Sequence, residues 1–264
     1  RRSICALGGQ PNLRKLTEPK VRKLAMKVLK SLLTIGLLMI PVIGSAQDRT
    51  SLNRAFSDWR ENTLWPRAAT FDTSLGGVAL NLELPDLVYD GAPANTGHYQ
   101  AEFRPPSGYF SGNDLGHTAA QGRALLSRHA TTLRDIERRT GVPAQIIIAI
   151  WGRESSFGQA KIPHNAFQIL GTKGLLSTRA AYFTDELIAA LQMVERGDAT
   201  PSQMKSSWAG ALGQPQFMPS NFLAYAADGD GDGRANIWSS EADTLASIGN
   251  YLQNHGWQAG HDWG

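Results

Sequence analysis

From residue 117 to 264 no run alternates apolar and polar residues with the period of two that a half-buried strand needs. Apolar residues recur instead at helical spacing between glycine and proline stops. Ala119 to Thr140 carries Leu125, Leu126, Leu133 and Ile136 with Arg123, Arg128, Arg134, Glu137 and Arg138 between them, and Gly141 ends the run. Pro143 suits the first turn of a second helix over 143 to 154. Thr178 to Phe183, Asp185 to Arg196, Pro201 to Ala209 and Ser240 to Asn254 read as further helices, with a glycine-rich turn at 210 to 216. The core is therefore expected to be mainly α.

Upstream, residues 48 to 62 place Leu52, Phe56 and Trp59 on one helical face. Over 63 to 116, Pro66, Pro85, Pro93, Pro105 and Pro106 with many glycines argue against long helices and predict a loop-rich arm. The expected organisation is a helix plus arm over 47–116, packing on a helical domain over 117–264.

The chain has 264 residues and a formal net charge of +3, a balance that changes once the charges are located. Nine of its 26 Lys/Arg and one of its 23 Asp/Glu lie in residues 1 to 46, so 17 basic face 22 acidic residues from 47 onward, a net of −5. A nucleic-acid partner is excluded on that sign. The basic excess belongs to a segment with the plan of a secretory signal: Met26, Lys27 and Lys30, an apolar stretch from Leu32 to Ile43, and Gly44-Ser45-Ala46 as cleavage site. Interrupted by Gly36 and Pro41, that stretch is shorter than the roughly 20 residues of a membrane span. Residues 26–46 are read as the signal peptide, 1–25 as a non-native upstream extension, and the mature chain as periplasmic with no stable membrane span. The single cysteine, Cys5, leaves no thiol after the signal for lipid attachment.

Chemistry concentrates in two clusters. The first follows the apolar run Ile146-Ile147-Ile148-Ala149-Ile150-Trp151 and reads Glu154-Ser155-Ser156-Phe157-Gly158. A carboxyl at the end of so apolar a run should be poorly hydrated, which raises its pKa toward what a general acid near neutral pH requires. The plainer reading, a solvated Glu paired with Arg153 or Arg179, stands beside it. The second cluster is Gly210-Ala211-Leu212-Gly213-Gln214-Pro215-Gln216-Phe217-Met218-Pro219-Ser220. It lacks the Lys and Ser/Thr of a phosphate loop, and the six histidines lack zinc-ligand spacing.

With both clusters in view, and with Gly141-Val142-Pro143, Ser207-Trp208-Ala209 and Asn250-Tyr251-Leu252 around them, the chain resembles the lytic murein transglycosylases of the membrane-bound lytic transglycosylase B type. The resemblance implies a mainly α, lysozyme-like catalytic domain of the goose-type/transglycosylase kind. It makes Glu154 the single catalytic acid/base, Ser207 and Gln216 polar neighbours orienting acid and sugar, and Phe217 and Met218 part of a glycan groove. Arg179, Tyr182 and Tyr109 match further groove positions. The implied reaction is non-hydrolytic cleavage of the MurNAc-GlcNAc β-1,4 bond of peptidoglycan, leaving 1,6-anhydroMurNAc ends, without a catalytic cofactor. Ordinary glycosidases need two carboxylates, and neither cluster supplies a second.

The run Asp228-Gly229-Asp230-Gly231-Asp232-Gly233-Arg234 is the front half of an EF-hand-like calcium loop, acids alternating up to a Gly and then a backbone carbonyl, here that of Arg234. Position twelve is Ser239 where a bidentate Glu is expected. Glu241 and Asp243 are the available replacements, and the resemblance favours Asp243. A structural Ca2+ is expected, the alternative being an acidic surface turn without metal.

Two other readings stay open: a lysozyme-type murein hydrolase, and a non-catalytic glycan-binding module. Members of the family continue beyond the point matching His261-Asp262-Trp263-Gly264, so the resemblance implies a catalytic domain incomplete at its C-terminus. Glycan strands are the expected partner, with proteins of cell-wall synthesis or remodelling as further ones, and the expected state is a monomer.

Overall fold

In the computed structural model, residues 46–71 and 112–260 are described. The described residues from Thr50 onward belong to one compact unit. The expectations for residues 1–25, for the signal segment up to Ser45, for the loop-rich arm over 72–111 with Tyr109, and for the last four residues lie outside the described residues. Among those described, no helix is long and apolar enough to cross a membrane.

Helix α1 (Ala46–Trp59) does not stop where the prolines begin. It passes through a π-helical turn (Arg60–Leu64) into a short α2 (Trp65–Ala68) with Pro66 in its first turn. The wider π turn re-phases the hydrogen bonds, and a proline in a first turn gives up an N–H that had no partner to lose. The predicted single helix over 119 to 140 is two helices, α3 (Gly112–Arg128) and α4 (Ala130–Thr140), broken at His129. His129 leaves helical geometry because its ring meets the edge of Trp151, at 6.0 Å, and its Nε2 lies 2.7 Å from Glu241. Gly141 closes α4 with φ of 70°, the left-handed conformation a glycine allows cheaply. Helix α5 (Ala144–Ser155) follows.

Beyond α5 the sequence reading needs three corrections. Helix α6 (Ala166–Leu176) occupies a stretch given no helix, its start capped by Asn165 Oδ1, which accepts from the Phe167 and Gln168 amides at 2.9 and 3.3 Å. Thr178–Phe183 and Asp185–Arg196 are one helix, α7 (Ala180–Glu195), because Thr184 sits inside it with its hydroxyl donating to the Ala180 carbonyl. Pro201 to Ala209 is not a helix. It turns at 201–203 and then pairs β2 (Lys205–Ser206) antiparallel with β1 (His164–Asn165), so its backbone groups are spent across the chain. Bridges from Ser206 to Leu212 and from Leu212 to Phe217 continue that pairing into the glycine-rich turn. A short α8 (Pro219–Tyr225) and then α9 (Glu241–Asn254), N-capped by Ser240, complete the order.

Two hydrophobic cores form. One joins Phe56 and Leu64 with Phe167 and Leu170 of α6, Leu187 and Leu191 of α7, and Leu212, Phe217, Phe222 and Ile237. The other joins Leu125, Leu133, Ile136, Ile147, Ile148 and Trp151 with Phe157, Leu245 and Ile248. Each fully buried side chain of this size contributes about 1.5–3 kcal/mol. The first sequence cluster ends the second core and the second cluster rims the first, so the candidate site falls on the seam between them.

Candidate active site

Helix α5 buries Ile147, Ile148 and Trp151, which fixes its axis and leaves Glu154, in its last turn, accessible. The Ser156 and Phe157 amides donate back to the Gly152 and Trp151 carbonyls at 3.0 and 3.3 Å, closing the helix. Ser156 and Phe157 hold φ of 51° and 58°, two consecutive non-glycine residues in the left-handed region. Each such residue costs on the order of 1 kcal/mol. The strain is offset by burial of the Phe157 ring, edge-on to Trp151 at 5.6 Å and lying over Gly152, where an added Cβ would sit 2.6 Å from it. Buried Ser155 fixes the next link: its hydroxyl accepts the Gly158 amide at 3.0 Å.

Although accessible, the Glu154 carboxyl has enough protein packed around it to lose part of its hydration, and this raises its pKa. The Arg153 guanidinium pulls the other way with lesser effect. The negative end of the α5 dipole acts in the same direction as the desolvation. Arg179, the other partner considered from sequence, lies 4.1 Å over the Tyr182 ring.

The second cluster is tied to the acid helix by a residue the sequence reading passed over. Gln214 Oε1 accepts the buried Trp151 indole N–H at 2.8 Å, and its Nε2 donates to the Trp238 carbonyl at 3.2 Å. Gly158 has no side chain because the Gln214 amide occupies the place of a Cβ. Gln214 and Gln216 flank Pro215 alike in sequence; only packing distinguishes the one facing inward. Gln216 takes φ of 54° and its Nε2 donates to the Gly213 carbonyl at 2.9 Å. Ser207 Oγ accepts the Ala211 amide at 3.2 Å, which leaves its proton free to donate. Met218 is half-buried at the start of α8. Phe217 is only 6% exposed and packs on Tyr251 at 5.3 Å, so its ring supports the turn from within the core and offers little surface to a groove.

Tyr182 and Arg179 stand at the N-terminal end of α7. The Tyr182 hydroxyl pKa is raised by partial burial and by Glu186, with Arg179 opposing. Glu186, 3% exposed, is a carboxylate that the sequence gave no reason to single out. It accepts the Ser220 amide and hydroxyl at 2.9 and 2.7 Å, joining α7 to the start of α8 directly after Met218. A second carboxylate therefore approaches the second cluster, but as an occupied acceptor.

In the acidic loop, ligand oxygens of Asp228, Asp230 and Asp232 lie within 4.8 Å of one another. Gly231 and Gly233 amides donate to Asp228, and this holds its carboxyl below the usual range. Buried Asp243 stands outside that triad and clamps both ends of the loop, accepting the Gly229 and Asn236 amides at 2.8 and 2.7 Å. Burial raises its pKa against those hydrogen bonds. Three hard oxygen donors on a preformed turn suit a calcium-type ion.

A mainly helical domain that ends its apolar helix on one accessible acid is lysozyme-like in architecture. The chain belongs to the Transglycosylase SLT domain family, whose model matches residues 56–264. It is 39% identical over 121 residues to membrane-bound lytic murein transglycosylase B of Escherichia coli (strain K12), covering 46% of this chain and 33% of that protein. It is similar to SltB3 from Pseudomonas aeruginosa, crystallised with NAG-anhNAM-pentapeptide and with NAG-NAM-pentapeptide (TM-score 0.69, 34% identity, 79% of this chain and 55% of that one). It also matches Escherichia coli lytic transglycosylase Slt35 in complex with calcium (TM-score 0.59, 27% identity, 79% and 64%). The chain thus spans about a third of the curated relative and about half of SltB3.

Proposed function

We propose that this protein is a peptidoglycan lytic transglycosylase and that Glu154 is its single acid/base. The observation carrying the reading is an accessible carboxyl with a raised pKa, held by Trp151 and Gln214 against the second cluster. Glu154 first gives its proton to the oxygen bridging MurNAc to GlcNAc as the C1–O bond breaks, with the substrate's N-acetyl group assisting departure. As carboxylate it then takes the proton of the muramoyl 6-hydroxyl, whose oxygen closes on C1. The acid is restored, no water is consumed, and the product ends in 1,6-anhydroMurNAc. An anhydro sugar of this kind is what SltB3 was crystallised with.

Ser207, Gln216 and Met218, with Arg179 and Tyr182, line the glycan site in this reading, and Phe217 backs it. Asp228, Asp230, Asp232 and the Arg234 carbonyl hold a structural Ca2+, with Asp243, the further ligand expected from sequence, clamping the ends of the loop instead, consistent with the calcium complex of Slt35. The substrate and the basic segment at residues 1 to 46 support action in the periplasm after export, on glycan strands and beside cell-wall remodelling proteins.

Glu154→Gln is expected to abolish cleavage while the far-ultraviolet circular dichroism and glycan binding stay unchanged, and normal turnover by the variant would end the proposal. Mass spectrometry of digested murein should find anhydro ends; reducing ends alone would assign a hydrolase.

A further inference from the structure

A cation lies beside the proposed glycan site, and among the described residues it has no anion to serve. Lys173, on α6, places Nζ 5.0 Å from the ring centre of Trp208 and 5.2 Å from that of Phe183. Arg179 stacks on Tyr182 at 4.1 Å and reaches the same Phe183 ring at 5.9 Å. None of the ion pairs found among the described residues uses either cation. Trp208 adjoins Ser207 and is 56% exposed, unusual for an indole that could have been turned inward.

A half-buried ammonium is costly, and here burial alone acts on it, lowering the Lys173 pKa with no carboxylate to restore it. Attraction to two aromatic faces returns part of that cost. The remainder is recovered when an anion docks, because a charge-assisted hydrogen bond made at a partly dry site is stronger than one made in water. Lys173 stands on α6, a different helix from that of the proposed acid Glu154. Its position suits holding a substituent of the sugar rather than the reacting bond.

We infer that Lys173, flanked by Trp208 and Arg179, binds the terminal carboxylate of the peptide borne by the glycan, and so makes the enzyme favour peptide-bearing over bare strands. The inference rests on the transglycosylase reading. An uncapped, uncross-linked peptide ends in a carboxylate, the ligands of SltB3 carry a pentapeptide, and the exposed indole beside Lys173 offers a flat face for peptide planes. The same carboxylate chemistry could come from muramic acid itself once its peptide is removed, so the two sources are separated experimentally.

The full chain and its Lys173→Gln, Lys173→Arg and Trp208→Ala variants are assayed on three substrates. These are strands with free peptide termini, strands with those termini amidated, and strands stripped of peptide by an amidase. Lys173→Gln and Trp208→Ala should each lower kcat/KM on the free-terminus strands roughly tenfold, the scale of one such contact. On the other two substrates they should stay within about twofold, and Lys173→Arg should keep most of the wild-type preference. An equal loss on all three substrates, or no loss on the first, overturns the inference. A loss confined to stripped strands assigns the carboxylate of muramic acid instead and also overturns it. If the wild-type chain cleaves none of them, the transglycosylase reading fails. Calorimetric titration with a free and an amidated pentapeptide then decides the site alone: free-terminus binding that Lys173→Gln removes supports it, and equal binding of both peptides refutes it.

Discussion

At the scale of single residues, two groups set what Glu154 can do. In the proposed cycle its first task needs the protonated form, so activity should fall as pH rises through its pKa, and burial places that fall above the range of an ordinary glutamate. Arg153 opposes the shift, so Arg153→Gln should move the alkaline limb of the kcat/KM profile to still higher pH; a limb unmoved or displaced to lower pH would show that Arg153 does not act on Glu154. Gln214 works by position. Gln214→Leu strands the buried Trp151 N–H and cuts the link to Trp238, which should cost about 1–3 kcal/mol in urea unfolding. It should also lower kcat by about tenfold or more as the acid loses its alignment. Stability lost with kcat intact would make the link purely architectural. Glu154 itself was legible in sequence because its apolar run and its turn are contiguous. Gln214 was not, since its partner lies 63 residues away.

At the scale of elements, helix packing explains why α6 escaped notice. Gly171 and Gly174 break its apolar pattern, yet they are what lets α1 approach. A Cβ on Gly174 would stand 2.7 Å from the Trp59 ring, and one on Gly171 3.5 Å from Phe56. Overpacking at such a contact costs about 1–3 kcal/mol against a helix-propensity gain of about 1. Gly174→Ala should therefore be neutral to destabilising, and Trp59→Leu beside it should recover part of the loss; a clear rise in melting temperature for Gly174→Ala alone would contradict the packing argument. The same element-level physics broke the predicted 119–140 helix at His129 and turned 201–209 into a strand pair. In both places side-chain or backbone partners distant in sequence outbid local spacing, which periodicity cannot register. Continuity of α7 across Thr184 is the converse case, a buried residue inside the helix whose hydroxyl finds its partner in the Ala180 carbonyl one turn back.

At the scale of the whole molecule, the acidic loop couples to the candidate site through short links. Asp243 holds its two ends, and Ile237 within the following segment accepts the Gln214 amide at 2.9 Å. An ion filling the triad would therefore brace both α9 and the residue that positions Trp151. At a hundredfold excess of calcium over its Kd, binding to the folded state alone stabilises by about 2.7 kcal/mol. In a chain of this size that corresponds to a melting temperature about 5–10 °C higher. The rise should vanish in Asp230→Ala and on addition of chelator. An unchanged melt in wild-type protein would assign the loop to its hydrogen bonds alone.

The sequence by itself determined the helical character, the acid at the end of the apolar run and the acidic loop. Each of these is written in local spacing, where backbone periodicity and charge repulsion act over a few residues. Only the tertiary structure decided that Gln214 rather than Gln216 grips the acid helix, that Glu186 is spent on Ser220, that Phe217 faces the core, and that Lys173 lies over the rings of Phe183 and Trp208. Those outcomes depend on which side chains meet when two hydrophobic cores close along a seam, and no spacing along the chain encodes the meeting.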